Sequence, residues 1–202
     1  MQANSSKYTL SKERFEAFSD GVFAIAITLL VLEVHLPAHL SKLSSNTVQT
    51  HALLQLWPQY LVYVASFSTI GIMWLNHHAL FRYCERITHG IVIANLFLLM
   101  LISFLPFPTA VLGQFGISRA AVVYYGMVLI GIAFGYFFVH QQVLAAERLP
   151  RRLTRWNVVG LALYPTATVL GYFVPLGGII VFAALALFYM IPRNVQSIVL
   201  KK

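Results

Sequence analysis

The sequence predicts an all-α integral membrane protein with six transmembrane helices, and three observations lead to this fold class. Of its 202 residues, 59% are hydrophobic and only 10% are charged, whereas soluble domains are about a quarter charged. Six apolar segments approach the roughly 20 residues that a helix needs to cross a bilayer core of about 30 Å. The basic residues also concentrate in alternate connections between these segments, as they do in multi-pass membrane proteins.

The six predicted spans follow one another with short polar connections and form a single domain over residues 1–202. Pro165 interrupts the fifth span and the sixth is short, so these two are expected to be kinked or incomplete. Residues 37–56 are expected to form the longest loop, and Pro175-Leu176-Gly177-Gly178 the tightest turn. No repeat relates the two halves. The spans are 16–36, 57–80, 88–111, 119–143, 156–174 and 177–192.

The positions of the basic residues predict the orientation of the chain. Only Lys42 and Arg119 lie in the connections on one side, and the other twelve basic residues lie at the termini and in the remaining connections. The positive-inside rule then places both termini in the cytoplasm. Because this rule explains the net charge of +8, no nucleic-acid partner is expected. The twelve are Lys7, Lys12, Arg14, Arg82, Arg86, Arg148, Arg151, Arg152, Arg155, Arg193, Lys201 and Lys202.

The first span has an unusual start because it carries an acidic residue, Asp20, into an apolar helix. An unpaired carboxylate costs several kcal/mol in hydrocarbon, so Asp20 needs a partner or water. At about 100° per residue, Asp20 and its neighbour Ser19 point away from an apolar stripe that has Thr28 beside it. Either the stripe lines a path while the other face is anchored, or it faces lipid or the protein core. The stripe consists of Phe18, Gly21, Ile25, Leu29 and Leu32.

This region carries a resemblance to a known family. Arg14-x-x-x-Phe18-Ser19-Asp20-Gly21, followed by Ile25-Ala26-Ile27-Thr28-Leu29, resembles the first-helix signature of the transmembrane protein 175 family of potassium channels. Trp74 with His77 and His78 near the end of the second span supports it. Animal members carry the motif twice. Its single occurrence here implies a prokaryotic type, a homotetramer in the cell membrane around a central pore lined by helix 1.

The resemblance implies roles for particular residues. Ile25 corresponds to a hydrophobic constriction, Leu29 and Leu32 to further apolar rings, and Thr28 to a polar position linked to selectivity. The motif residues Arg14, Phe18, Ser19 and Asp20 would tie helix 1 to its neighbours, and Trp74 with either His77 or His78 would join that network. Glu33 lies thirteen residues beyond Asp20, about 20 Å along a helix, which places it at the outer mouth. There it would either concentrate cations or simply contact water.

Together these features predict a passive, leak-type potassium channel whose partners are potassium ions and the lipid bilayer, with no further cofactor. One alternative is a cation- or proton-coupled secondary transporter with Asp20 as the coupling site. A scaffold protein, in which the stripe is only an oligomer seam, is another. Enzymatic activity is not expected, because the six acidic residues form no catalytic pair by spacing. Adjacent His77 and His78 diverge on a helix, so no metal site is expected there.

Two further local patterns have simple interpretations. Gly131 and Gly135 form a GxxxG spacing, which we interpret as a helix-packing contact. The segment Thr168-Val169-Leu170-Gly171-Tyr172 superficially resembles a potassium selectivity filter. It lacks the TVGYG order, however, and Pro175 follows too closely to leave room for a re-entrant pore helix. The sequence therefore predicts that this segment is not a filter.

Overall fold

The computed structural model describes residues 11–35, 46–82, 84–149 and 155–190. Every regular element in these ranges is helical, so the predicted all-α class is confirmed. A short 3₁₀ turn, Leu30–Glu33, extends the first helix. The α-helices are α1 (Lys12–Leu29), α2 (Asn46–Gln55), α3 (Trp57–Phe81), α4 (His89–Phe104), α5 (Pro106–Phe115), α6 (Arg119–Ala146), α7 (Arg155–Phe173) and α8 (Pro175–Met190).

Three described helices begin at hydroxyl side chains that cap them. The side chain of Ser11 accepts a hydrogen bond from the Arg14 backbone N–H at the start of α1. Thr88 caps α4 and Ser118 caps α6 in the same way. Each cap satisfies a backbone donor that has no partner within its helix.

Within the described residues, three helical stretches are long and apolar enough to cross a membrane: Lys12–Glu33, His89–Phe115 and Arg119–Ala146. Pro175–Tyr189 is a shorter apolar helix. The α3 helix has 25 residues, which is also enough to span, but it carries several polar side chains in its sequence. The lengths and composition of these helices are therefore typical of an integral membrane protein.

The structure differs from the predicted boundaries at three places. A helix, α2, lies inside the predicted loop 37–56. The predicted third span is divided at Leu105, because Pro106 and Pro108 lack the backbone N–H groups that would continue the α4 hydrogen bonds. The predicted tight turn at 175–178 is wrong: α8 begins at Pro175, a position where a missing N–H has no cost.

The fifth predicted span, by contrast, remains helical through its proline. The assignment of α7 is continuous from Arg155 to Phe173 with Pro165 inside it. The end of the sixth predicted span at 192 lies outside the described residues.

Helix α6 lies at the centre of the fold and packs against α4, α5, α7 and α8, while α1 packs against α3 and α4. Glycine permits two close approaches. A Cβ atom at Gly135 would lie 3.3 Å from the Cα atom of Leu98, and one at Gly178 would clash with the backbone of Gly171. The buried face of α1 enters the core through Phe15, Phe23 and the helix extension at Leu30. The predicted stripe of α1 therefore lies on the outside.

Candidate ion-conduction site

The stripe of α1 is exposed along its whole length. The exposed fractions are 55% for Phe18, 61% for Ile25, 40% for Leu29 and 64% for Leu32, and Gly21 is exposed as well. On the opposite face, the buried residues of α1 are Phe15, Ser19, Phe23 and Ala26. One chain thus leaves an apolar helix face uncovered, so that lipid or another protein chain must cover it.

Thr28 lies beside this stripe and is exposed. Its Oγ1 donates a hydrogen bond of 2.9 Å to the backbone oxygen of Ile25, one turn earlier. The hydroxyl proton is therefore directed along the helix, and the lone pairs of Oγ1 remain available to a donor or a cation.

A groove of about 420 Å³ runs between α1 and α4 beside the stripe. Its walls are apolar except for one hydroxyl group, that of Ser103. The groove and the stripe form one continuous apolar surface. The lining residues are Phe18, Val22, Ile25, Ala26 and Leu29 from α1, and Leu96, Leu99, Met100 and Ser103 from α4.

The buried side of α1 is joined to α4 and α3 by a chain of hydrogen bonds. Ser19 Oγ donates to the Phe15 carbonyl at 3.0 Å and accepts from Asn95 Nδ2 at 2.9 Å. Asn95 Oδ1 in turn accepts from His77 Nε2 at 2.8 Å. All three side chains are buried, with exposed fractions of 0% for Ser19, 1% for Asn95 and 2% for His77. Their mutual bonding offsets the cost of placing polar groups in an apolar region.

Asp20 has a different partner. Its Oδ1 accepts a hydrogen bond of 2.8 Å from the indole Nε1–H of Trp74. The Trp74 ring stacks on His78, with ring centroids 6.1 Å apart. His77 and His78 therefore face different groups, one bonded to Asn95 and the other stacked on Trp74.

The remaining predicted residues lie at the two ends of α1. Arg14 is exposed in the first turn and Glu33 is partly exposed at the end of the 3₁₀ extension. The backbone oxygen of Glu33 contacts His35 Nδ1 at 3.0 Å, and the His35 N–H donates to Gln59 Oε1 at 3.2 Å. The bond to Gln59 joins the segment after α1 to the beginning of α3.

Sequence reasoning missed Asn95, the residue that joins Ser19 to His77. A signal was present, because Asn95 is the one amide side chain in the apolar helix α4 and a buried amide requires partners.

A second polar cluster was also missed. Thr109 Oγ1 donates to Ser66 Oγ at 3.0 Å, and Ser66 Oγ lies 3.2 Å from the Tyr125 hydroxyl. This cluster joins α5, α3 and α6.

The filter-like segment 168–172 is helical throughout and belongs to α7. Thr168 Oγ1 donates within the helix to the Tyr164 carbonyl at 2.8 Å. The carbonyls of a helical segment point along the helix axis rather than toward a shared path, as a potassium filter requires.

The fold and the site define a class: a multi-pass helical membrane protein whose first helix is anchored by polar bonds on one face and exposes an apolar stripe on the other. The family model described as "Endosomal/lysosomal potassium channel TMEM175" matches residues 14–106, which include the whole stripe and the polar network. The chain belongs to the TMEM175 family. The predicted family is therefore confirmed, and it is a family of ion channels rather than of enzymes.

Individual relatives agree with this family. A potassium channel of Chamaesiphon minutus is 44% identical over 139 residues, which are 67% of this chain and 68% of that protein. The crystal structure of a lysosomal potassium-selective channel TMEM175 homolog from the same organism aligns with a TM-score of 0.74 and 36% identity, covering 88% of this chain and 95% of that one.

An animal relative is much longer than this chain. The Danio rerio protein named as an endosomal/lysosomal proton channel TMEM175 is 43% identical over 102 residues. The match covers 48% of this chain but only 19% of the relative.

Proposed function

We propose that the chain is a potassium-selective, leak-type channel of the cell membrane, in which four copies enclose a central path lined by α1. The observation that carries this proposal is the two-sided character of α1. Its apolar stripe is uncovered in one chain, while its other face is fixed to α3 and α4 by buried polar bonds. Four copies arranged cyclically would direct the four stripes to a common axis.

Ile25 forms the narrowest ring of this path in the proposed arrangement. It is 61% exposed and lies in the C-terminal half of α1, with Leu29 and Leu32 forming further rings toward the outer side. A ring of apolar side chains excludes water from a narrow pore and so limits conduction. Thr28 supplies the adjacent polar position, because its hydroxyl oxygen keeps lone pairs that can contact a partly dehydrated potassium ion.

The polar network holds α1 in position. Ser19, Asn95 and His77 join α1 to α4 and α3, and the Asp20–Trp74 bond adds a second connection to α3. Arg14 is exposed on the same helix, and we assign it, together with Phe18 at the first position of the stripe, to contacts between subunits around the axis. His78 supports Trp74 by stacking.

The proposed topology has six spans and cytoplasmic termini. The six are α1 with its extension, α3, α4 with α5, α6, α7 and α8, and α2 lies at the outer surface. In this orientation the basic residues of the termini and alternate connections lie on the cytoplasmic side. Glu33, the last residue of the α1 extension, then lies at the outer side. Four copies of Glu33 at the outer mouth attract cations to the entrance.

Replacement of Ile25 by Asn tests this function. An amide at the constriction should let water persist there, which lowers the barrier for any small cation. We expect larger single-channel currents in planar bilayers and a higher sodium-to-potassium permeability ratio. Some potassium preference should remain, because Thr28 is untouched.

Leu163→Asn is the matched control, because Leu163 is an exposed aliphatic residue in the middle of α7 with 39% of its surface accessible. It should leave conduction unchanged. Native mass spectrometry must show the same tetramer content in all three proteins. Unchanged current in an intact Ile25→Asn tetramer would remove Ile25 from the path, and a wild type that is stable only as a monomer or dimer would contradict the four-subunit pore.

Proton permeation is a second candidate, favoured by the name of the Danio rerio relative as a proton channel. A water-excluding ring of Ile25 would limit protons as well as potassium ions. Reversal potentials measured under opposed pH and potassium gradients distinguish the two ions. A reversal potential that follows the pH gradient alone would exclude the potassium assignment.

A further inference from the structure

Two basic connections are joined to each other where α3 and α6 end. Glu147 directly follows α6, and its Oε1 accepts a hydrogen bond of 2.8 Å from the backbone N–H of Glu85 in the α3–α4 connection. Within that connection, the buried Cys84 donates through Sγ to the Arg86 carbonyl at 3.3 Å. The α3–α4 connection is therefore ordered against the end of α6 rather than free in solution.

Arg86 and Arg148 follow these two hydrogen-bonded residues directly in the chain, and both are exposed. Arg148 has a positive φ of 54°, and the Leu149 N–H donates to the Leu144 carbonyl at 2.8 Å. This geometry ends the helix in the manner of a Schellman motif. Arg86 and Arg148 thus each lie one residue from the hydrogen bond that joins the two connections.

In the part of the chain that the structure describes, neither arginine forms an ion pair, although Glu85 and Glu147 directly precede them in the chain. All six acidic residues of the sequence lie in that part. The ion pair found there joins Lys12 to Glu16 at 3.9 Å. The joined connections therefore present two exposed arginines outside any ion pair, close to the ends of α3 and α6.

We propose that the joined connections bind the phosphate of an anionic phospholipid headgroup, with Arg86 and Arg148 as its ligands. A guanidinium group presents paired N–H donors that match a phosphate, and lipid phosphates are the anions present where α3 ends and α4 begins. The inference rests on the proposed insertion in the bilayer but not on conduction. The proposed binding also differs from the general charge bias of membrane proteins. That bias orients the chain during insertion and requires no bond between the two connections.

The test measures the melting temperature of the purified full-length protein in vesicles. Phosphatidylcholine alone is compared with an equal mixture of phosphatidylcholine and phosphatidylglycerol. We expect the mixture to raise the melting temperature of the wild type, because a ligand that binds the folded state stabilises it. The double variant Arg86→Gln/Arg148→Gln should lose at least half of this rise. Arg119→Gln, which changes an exposed arginine at the start of α6, should keep it.

Glu147→Ala provides a second, independent variant, because it keeps every arginine and removes the acceptor that joins the two connections. This variant should also lose at least half of the rise in melting temperature. It still tests the proposal if the double variant does not fold. The proposal is overturned if Glu147→Ala or a folded double variant keeps the full rise, or if Arg119→Gln loses as much. It is also overturned if inorganic phosphate added to phosphatidylcholine vesicles gives an equal rise, since the site would then bind a soluble anion. Because no current is measured, these outcomes are separate from a failure of the channel function.

Discussion

At the scale of single residues, the polar side chains around α1 show what a sequence can and cannot specify. Helical periodicity predicted that Ser19 lies away from the apolar stripe, and Ser19 is buried on the opposite face. Its partner could not be predicted, because Asn95 is 76 residues away. Spacing also could not choose between His77 and His78, since both lie about one turn from Trp74. Their partners depend on the packing of α3 against α1 and α4.

The bond between Asp20 and Trp74 is expected to act on assembly rather than on ion preference. Asp20 lies outside the exposed stripe, and its carboxylate accepts from the Trp74 indole at 2.8 Å. A hydrogen bond to a charged group contributes about 1.5–3 kcal/mol. We expect Asp20→Asn, Asp20→Ala and Trp74→Phe each to lower tetramer yield, Asp20→Asn least because an amide oxygen can still accept. Potassium selectivity should change little.

A double-mutant cycle with Asp20→Ala and Trp74→Phe isolates this pair, because the second substitution has no bond left to remove. The melting temperatures of the tetramers should therefore be non-additive. Additive effects would show that the two residues act separately. A well-assembled Asp20→Asn tetramer with altered selectivity would instead favour Asp20 as an ion site, as in a coupled transporter.

At the scale of helices, hydrophobicity located the membrane-capable stretches better than it located their breaks. Apolar length predicted a helix at each of the six places where α1, α3, α4 with α5, α6, α7 and α8 lie. The break at Leu105 was missed although Pro106 and Pro108 mark it, because hydropathy is unchanged across it. Helix α2 was missed because its residues are polar and mixed, so that neither periodicity nor apolar length indicates a helix.

The contact between α4 and α6 depends on Gly135. A Cβ atom at Gly135 would lie 3.3 Å from the backbone of Leu98, whereas one at Gly131 would meet only side-chain methyl groups of Leu101, at 3.6 Å. Replacement of glycine by alanine favours a helix by about 1 kcal/mol, and crowding a packed contact costs about 1–3 kcal/mol. We therefore expect Gly135→Ala to melt at a lower temperature than Gly131→Ala.

Gly131→Ala is the control for this pair, since both substitutions gain the same helix propensity in the same helix. The difference between their melting temperatures therefore reports chiefly the closer approach of Gly135 to Leu98. Equal melting temperatures would mean that α4 moves away from α6 without cost, contrary to a tightly packed GxxxG contact.

At the scale of the whole molecule, a single chain cannot enclose the proposed path. One α1 presents one exposed stripe, and a path for ions needs a closed ring of such stripes. The stripe itself was predictable because helical periodicity is local. The ring is not a property of one chain, so the fourfold arrangement depends on the single copy of the motif and stays a prediction.

The orientation of the chain can be measured with introduced cysteines, because the one native cysteine is expected not to react with thiol reagents at neutral pH. Cys84 is buried, and desolvation, reinforced by the negative charge of Glu147, raises the pKa of its thiol to about 11. Thiol reagents attack the thiolate. At neutral pH the Cys84 thiol remains protonated, and its reaction would increase only as the pH rises toward 11.

Gln55→Cys and Glu13→Cys form a matched pair for this measurement. Both positions are exposed, Gln55 at the end of α2 and Glu13 in the first turn of α1. Because the distribution of basic residues predicts a cytoplasmic start of α1, we expect an impermeant maleimide to label Gln55→Cys on intact cells. Glu13→Cys should label only after permeabilisation, and the wild type in neither case. Labelling of Glu13→Cys on intact cells, with Gln55→Cys protected, would reverse the orientation and place Glu33 at the cytoplasmic end of the path.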